Sequence, residues 1–130
     1  MAEGNGLIQV ASRYSVEETV RRLQAAFVEK GMLVFAVIDH SGEAERAGLQ
    51  LRETKVVIFG SPQAGTPVMV AAPLAALDLP LKVLVFSEDD GQTKLTYTAP
   101  STLAARYGLD AELAARLAGI DGLTDGVISG

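Results

Sequence analysis

The chain has one histidine, His40, which directly follows Asp39 and directly precedes Ser41. An imidazole can act as a general acid or base, and a serine hydroxyl within its hydrogen-bond reach can then act as a nucleophile. Adjacency alone does not make Asp39 and His40 a catalytic pair, because successive side chains of a strand point to opposite faces. The fold would have to bring Ser41 or Ser61 to His40. In the alternative interpretation, which we favour, Asp39 and Ser41 cap the following helix and His40 bonds a backbone carbonyl.

A second candidate is the segment VVIFGSPQAGTP, in which a strand-like run is followed by Gly60, Gly65 and the pair Thr66-Pro67. Strand, glycine loop and helix is the order found in phosphate-binding loops. A Walker-type loop needs a lysine and then a hydroxyl residue directly after its second glycine, where this chain has Thr66 and Pro67. Nucleotide hydrolysis is therefore excluded here. The amides at the predicted helix start could still bind an anion or carboxylate; an ordinary strand-to-helix turn is the alternative.

Other residue clusters have simpler interpretations. Asp39, His40 and Glu43 offer three possible metal ligands, but a chain with one histidine and no cysteine can build only a mostly carboxylate site. We expect neither a metal nor a cofactor. The acidic run 88–90 falls in a predicted hairpin loop and is interpreted as a solvated turn. The apolar segment Val68–Leu77 could line an apolar ligand pocket, although a core helix is the more ordinary interpretation.

Composition limits the classes of protein to which the chain can belong. It has 130 residues, of which 48% are hydrophobic and 21% charged, as in a packed globular domain. A net charge of −5 and few aromatic residues argue against binding to nucleic acid or to anionic membranes. The absence of cysteine excludes disulfides and thiolate catalysis. With no signal-like start and no apolar run of membrane length, we expect a cytoplasmic protein.

The elements that position these residues predict an α+β domain over residues 6–130, preceded by a flexible tail of residues 1–5. Their order, β-α-β-(short α)-β-α-β-β-α, favours one mostly antiparallel sheet with helices packed on it. Ser15 and Glu18 form a capping box at the start of the first helix, and Gly31 ends that helix. The apolar run Met32–Ile38 predicts a central strand covered on both faces.

The second half of the chain predicts a buried helix, a hairpin and a helical end. Thr66 is expected to cap the helix Val68–Leu77, with a kink at Pro73. Asp90-Gly91 supplies the turn of the hairpin. The remaining predicted elements are the hairpin strands 81–86 and 93–98, and helices from Ser101 onward that are interrupted at Gly108 and Gly119, with Asp110 as a cap between them.

Several of these features recur together in one known family. The residues concerned are Phe35, Ile38-Asp39-His40, Ala44, Ile58-Phe59-Gly60-Ser61-Pro62, Gly65-Thr66-Pro67, Met69, the run 76–82, Asp90-Gly91, Tyr97 and Pro100. In this order, over about residues 5 to 125, the chain resembles the family called domain of unknown function three hundred and two. The family loop usually reads Phe-Gly-Asn-Pro, and this chain has Ser61 in place of the asparagine. The resemblance implies a two-layer α+β fold similar to TATA-binding-protein-like domains, a homodimer, and no established activity.

The resemblance also implies where a ligand would bind. The family signature gathers on the Asp39-His40 strand end, the glycine loop, the turn 78–82 and Tyr97. If these segments meet, they form one cleft that suits a small anionic or carboxylate ligand. That cleft would hold His40, Thr66, Lys82 and Tyr97. The full set of predicted ligand-binding residues is Asp39, His40, Gly60, Ser61, Gly65, Thr66, Lys82 and Tyr97.

Three functions are compatible with these features. The first is a non-enzymatic small-ligand-binding or sensing domain. The second is a small hydrolase or isomerase that uses His40 as general acid–base, assisted by Tyr97 or Ser61. The third is a protein-interaction module that binds through the apolar surface of its C-terminal helices. The sequence does not decide between an enzyme and a binding protein, and it does not identify the ligand.

Overall fold

The computed structural model of the protein describes residues 4–129, and its strands form one antiparallel sheet. The strands are β1 (Leu7–Ser12), β2 (Leu33–Asp39), β3 (Thr54–Gly60), β4 (Leu81–Ser87) and β5 (Thr93–Thr98). Their order across the five-stranded sheet is β1-β5-β4-β3-β2, and each neighbouring pair is antiparallel. The predicted α+β class, with helices packed on a mostly antiparallel sheet, is confirmed.

The helices divide into a layer on the sheet and a group at one end of it. They are α1 (Val16–Glu29), α2 (His40–Arg46), α3 (Pro62–Ala71), a 3₁₀ helix (Pro73–Asp78), α4 (Pro100–Tyr107), α5 (Ala111–Leu117) and α6 (Gly119–Ser129). Helix α1 packs on strands β2, β3 and β4, and α6 packs beside it and against β1. Helix α5 contacts α3 and α4, and the 3₁₀ helix also contacts α3 and α4. A smaller apolar cluster in this group contains Val68, Leu103 and Leu117.

The main core lies between α1, α6 and the sheet. Leu23 and Phe27 of α1 are fully buried against Val57 and Phe59 of β3. The rings of Phe27 and Phe59 stack with centroids 4.0 Å apart. This stack packs β3 against α1. Strand β3 ends at Gly60, which lines the candidate site described below.

Local signals set the ends of α1 as predicted, with one difference. The Ser15 hydroxyl accepts a hydrogen bond from the Glu18 amide at 3.1 Å, and Gly31 takes a left-handed conformation with φ of +77°. The Glu18 carboxylate does not complete the capping box, because it accepts from Arg21 and Arg22 instead. These contacts, Arg21 first, lower the pKa of Glu18.

Strand β2 lies at the edge of the sheet, so the prediction of a central strand covered on both faces is wrong. Leu33 is 50% exposed and Phe35 52% exposed, with Val37 and Ile38 less so. A continuous apolar run shows that the side chains are hydrophobic, but it does not show where the strand lies in the sheet. The same run can form a buried central strand or an edge strand with exposed apolar side chains.

Helix α3 begins earlier than predicted. Ser61 is its N-cap and Pro62 its first residue, and the Ser61 hydroxyl accepts from the Ala64 amide at 3.4 Å. Thr66 and Pro67 therefore lie inside the helix, and the expected cap at Thr66 is wrong. The pair Ser61-Pro62 carries the same start signal as Thr66-Pro67, and the chain uses the first of the two.

The segment Val68–Leu77 is not a buried helix. It comprises the end of α3 and most of the 3₁₀ helix, and of its residues only Val68 and Ala75 are buried. Val70, Leu74 and Leu77 are 77% to 82% exposed. Helices α4 to α6, by contrast, carry none of the large exposed apolar side chains found in residues 4–129.

The hairpin and the C-terminal helices follow their predicted signals. Gly91 adopts φ of +85° in the β4–β5 turn, and Gly108 adopts φ of +64° after α4. The Asp110 carboxylate caps α5 by accepting from the Leu113 amide at 2.9 Å. Of the predicted N-terminal tail, residues 1–3 lie outside the described residues, and the Asn5 side chain closes a turn by accepting from the Leu7 amide.

Candidate functional site

A cavity of about 230 Å³, here called the apolar cavity, lies where the β3–α3 turn meets α5 and α6. Its walls are mainly hydrophobic, as in most small-molecule sites. The main apolar side chains that line it are Met32, Phe35, Met69, Leu79, Leu117 and Ile120.

Two glycines shape one wall of the apolar cavity. A Cβ atom at Gly60 would lie 3.4 Å from the Phe35 ring and 3.5 Å from the Cβ atom of Pro80. A Cβ atom at Gly65, in the fourth position of α3, would meet only the Met69 methyl, at 3.9 Å. A Cβ atom at position 65 therefore makes one ordinary van der Waals contact, at a residue that lines the apolar cavity.

Few polar groups line the apolar cavity. The Ser61 hydroxyl is already engaged, because it caps α3 and lies 3.2 Å from Gln63 Oε1. Arg116, whose side chain carries a fixed positive charge, is one of the residues that line this cavity. Its pairing with Glu112 on the same helix is long, at 3.7 Å, and both side chains are substantially exposed. Sequence reasoning did not single out Arg116, since nothing in its spacing connects α5 with the β3–α3 turn.

A second cavity of about 220 Å³, here called the polar cavity, lies beside the first. Leu81 and Ile120 line both cavities and so separate them. The other residues that line the polar cavity are Asp78, Lys82, Tyr97, Thr98 and Leu103.

The polar cavity opens where two neighbouring strands separate. Pairing between β4 and β5 covers Leu84–Ser87 and Thr93–Thr96. Strand β4 nevertheless begins at Leu81 and pairs there with β3, while β5 continues to Thr98 and pairs there with β1. The ladder between β4 and β5 thus stops short of this end of the sheet, and the cavity occupies the gap.

Tyr97 closes the inner side of the polar cavity. It is 6% exposed, and its hydroxyl donates to the carboxylate of Asp121 while the Thr124 hydroxyl donates to it at 3.5 Å. Burial, and then the bond to Asp121, raises the pKa of Tyr97 to about 12. The phenol therefore stays neutral at physiological pH and serves to hold α6 against the sheet.

Charged groups of opposite sign line the same cavity. The Asp78 carboxylate accepts through Oδ2 from Arg106, at 2.7 Å, and from the Tyr107 hydroxyl. These bonds, Tyr107 first, lower the pKa of Asp78, so the group is ionised at neutral pH. The Lys82 ammonium donates to the Pro80 carbonyl at 3.0 Å.

The structure does not bring the eight predicted ligand-binding residues together. Gly60, Ser61, Gly65 and Thr66 line the apolar cavity, and Lys82 and Tyr97 line the polar cavity. Asp39 and His40 lie at the other end of the sheet. Asp39 is opposite Lys55, five residues from Gly60 along β3, which corresponds to about 17 Å. The prediction that one cleft holds His40, Thr66, Lys82 and Tyr97 is therefore wrong.

His40 has a structural setting that gives it no catalytic partner. It is the exposed first residue of α2, and no residue in the described range 4–129 forms a hydrogen bond with its ring. Asp39 caps α2, accepting from the Gly42 amide at 2.9 Å and the Ser41 hydroxyl at 2.7 Å, in line with the capping interpretation. The bond expected from His40 to a backbone carbonyl is not formed. Within the described residues, no three His, Asp or Glu side chains are grouped closely enough to hold a metal ion.

Comparison with known proteins gives a family, a fold and partial relatives. The family model described as "Domain of unknown function DUF302" matches residues 8–123. The crystal structure of an uncharacterized conserved protein DUF302 from Bacillus stearothermophilus superposes with a TM-score of 0.80. It is 22% identical, with 95% of this chain and 96% of that chain covered, so the likeness concerns the fold.

The curated relatives are named as ion channels. Proteins named fluoride-specific ion channel FluC 1, from Brucella suis biovar 1 and Brucella abortus biovar 1, are each 42% identical over 105 residues. The match covers 81% of this chain but only 41% and 39% of those proteins, so the chain spans about two fifths of their length. Among residues 4–129, no helix has the length and hydrophobicity needed to cross a membrane.

Proposed function

The chain belongs to the DUF302 family, and we propose that it is a small-ligand-binding domain whose ligand occupies the apolar cavity. The observation that carries this proposal is a cavity of about 230 Å³ with mainly hydrophobic walls and Arg116 among its lining residues. Apolar walls with a few convergent polar groups are typical of small-molecule sites.

The expected ligand is small, mainly apolar and acidic. The cavity is smaller than the roughly 300–1,000 Å³ of sites for drug-sized molecules, so the ligand is smaller than a drug. A guanidinium can bind a carboxylate through two parallel hydrogen bonds. Because the exposed Arg116–Glu112 contact is weak, a ligand carboxylate can replace it. We thus propose the carboxylate ligand that the sequence predicted, but with Arg116 and not Lys82 as the cationic residue that binds its carboxylate.

Hexanoate is a suitable probe, because it combines a short apolar tail with a carboxylate. Met32 and Met69 both line the cavity, so ¹³C NMR of their methyl groups can detect a ligand there. We expect hexanoate to shift both signals, and Arg116→Met to weaken binding about tenfold through loss of a charge-assisted bond. Arg52→Met, which removes an exposed arginine paired with Asp89, is the matched control and should bind normally. Equal affinity in the two variants, or unchanged methyl signals, would contradict the proposal.

We also propose that the protein forms a homodimer through the edge of β2. This edge presents unpaired backbone groups together with exposed Leu33, Phe35 and Ile38. Ile38→Lys should shift the protein towards monomer in sedimentation velocity. Val70→Lys, on an exposed residue of α3, should leave the oligomeric state unchanged; a parent chain that is already monomeric would exclude the dimer.

A second candidate function follows from the Brucella relatives: the domain acts together with a fluoride channel. The matched segment is about two fifths of each of those proteins, and the remainder would conduct the ion. In this proposal the domain is the ligand-responsive part. The test is fluoride efflux from liposomes containing the Brucella suis protein, with and without its matched segment. Efflux that responds to hexanoate only when the segment is present would support the proposal, and identical responses would contradict it.

A further inference from the structure

The polar cavity has features of a binding site that the apolar cavity does not explain. It lies in the gap where β4 and β5 separate, and its volume of about 220 Å³ is close to that of its neighbour. In this gap the backbone groups of the two strands are not committed to the ladder between them. Such groups need hydrogen-bond partners, and a polar ligand can supply them.

Three polar side chains of the cavity retain hydrogen-bonding capacity. Arg106 and Tyr107 both donate to Oδ2 of Asp78, and a carboxylate accepts at two oxygens, so Oδ1 can still accept. The Lys82 ammonium has three donors and uses one on the Pro80 carbonyl. The hydroxyl of Thr98 has no hydrogen-bond partner within the described range 4–129.

The signs of these charges restrict the class of ligand. The carboxylate of Asp78, although paired with Arg106, can attract an ammonium group through its second oxygen, and the ammonium of Lys82 can attract a carboxylate. A molecule that carries one charge of each sign interacts favourably with both groups. Leu81, Leu103 and Ile120 form the rest of the wall, and they suit an aliphatic group.

We propose that the polar cavity binds a free α-amino acid with an aliphatic side chain. Its carboxylate is bound by Lys82 and the Thr98 hydroxyl, and its ammonium is bound by Asp78 Oδ1. Its side chain packs against Leu103 and Ile120. This site is separate from the proposed hexanoate site, since the Leu81–Ile120 wall lies between the two cavities.

The test is a titration of the full chain with leucine, followed by ¹H–¹⁵N NMR. We expect leucine to shift the amide signals of Lys82 and Thr98 and to leave the methyl signals of Met32 and Met69 in place. Leucinamide, which lacks the carboxylate, should bind at least about tenfold more weakly. Lys82→Met and Thr98→Val should also weaken leucine binding, whereas Arg52→Met, which removes an exposed arginine outside both cavities, should not.

Three results would overturn the proposal. The first is that millimolar leucine, isoleucine or valine leaves the Lys82 and Thr98 signals unshifted. The second is that leucinamide binds as tightly as leucine. The third is that Lys82→Met, which changes an exposed side chain and leaves the Asp78–Arg106 pair intact, binds leucine with the affinity of the parent. Asp78→Asn would break the Asp78–Arg106 ion pair and could alter the local structure. Lys82→Met is therefore the decisive variant.

Discussion

Replacement of Gly65 by leucine should fill the apolar cavity and stabilise the protein. Gly65 lies in α3 without a positive φ, so a side chain is compatible with its backbone. Only the Met69 methyl lies within 4 Å of the Cβ position, at 3.9 Å. Removing a helical glycine contributes about 0.5–1 kcal/mol. Partial burial of the leucine side chain adds on the order of 1 kcal/mol, since complete burial is worth about 1.5–3 kcal/mol. We therefore expect stabilisation of about 1.5–2 kcal/mol and complete loss of hexanoate binding.

Gly122→Leu is the matched control for this prediction. Gly122 is in α6, also lacks a positive φ, and has no atom within 4 Å of its Cβ position. It does not line the apolar cavity. This variant should gain only the helix contribution of about 0.5–1 kcal/mol and should bind hexanoate normally. Urea unfolding measures both stabilities, and calorimetric titration measures both affinities. A Gly65→Leu variant that still binds hexanoate, or that is less stable than the parent, would refute the proposed open space.

Three further predictions concern Tyr97, Asp110 and His40. Tyr97→Phe removes the part-buried hydrogen bond to the Asp121 carboxyl group and should cost about 1.5–3 kcal/mol in urea unfolding. Because the folded pKa of Tyr97 is about 12 against 10.0 in the unfolded chain, the unfolded state loses its proton first. Parent stability should therefore fall by about 2 kcal/mol between pH 10 and 12, and the phenylalanine variant should lose that component of the slope. Asp110→Ala removes the cap of α5 and should destabilise the protein by about 1 kcal/mol in thermal unfolding, whereas an unchanged midpoint would count against the capping bond. His40→Ala should leave hexanoate affinity unchanged, since His40 lies at the opposite end of the sheet; a loss of binding would contradict that separation.

The elements that followed from sequence are those set by local chemistry. Ser15, Gly31 and Asp110 act through neighbours within one helical turn, so their types and spacing are sufficient to place helix ends. The position of β2 in the sheet depends on which strands pair across the whole chain. No residue of the run Met32–Ile38 indicates which strands pair with it, and in the structure the strand formed by this run lies at an edge of the sheet.

The candidate site was predictable only where its residues are contiguous. Gly60, Ser61, Gly65 and Thr66 lie together because they belong to one turn and the helix that follows it. Arg116, in α5, lies near them because of tertiary packing. No spacing in the sequence indicates that packing.

The separation of His40 from this turn has a simple geometric cause. The ends of successive strands meet at one edge only where the strands are parallel. Strands β2 and β3 are antiparallel, so Asp39, at the end of β2, lies beside Lys55, near the start of β3. Polar residues that follow the two strands are consequently placed at opposite ends of the sheet.

The most direct test of ligand binding in the apolar cavity is the measurement of intermolecular NOEs between hexanoate and the protein. The proposed site predicts NOEs from the hexanoate methyl group to the methyl groups of both Met32 and Met69, and their absence in Gly65→Leu. NOEs confined to other surfaces of the protein, or persisting unchanged in Gly65→Leu, would contradict it.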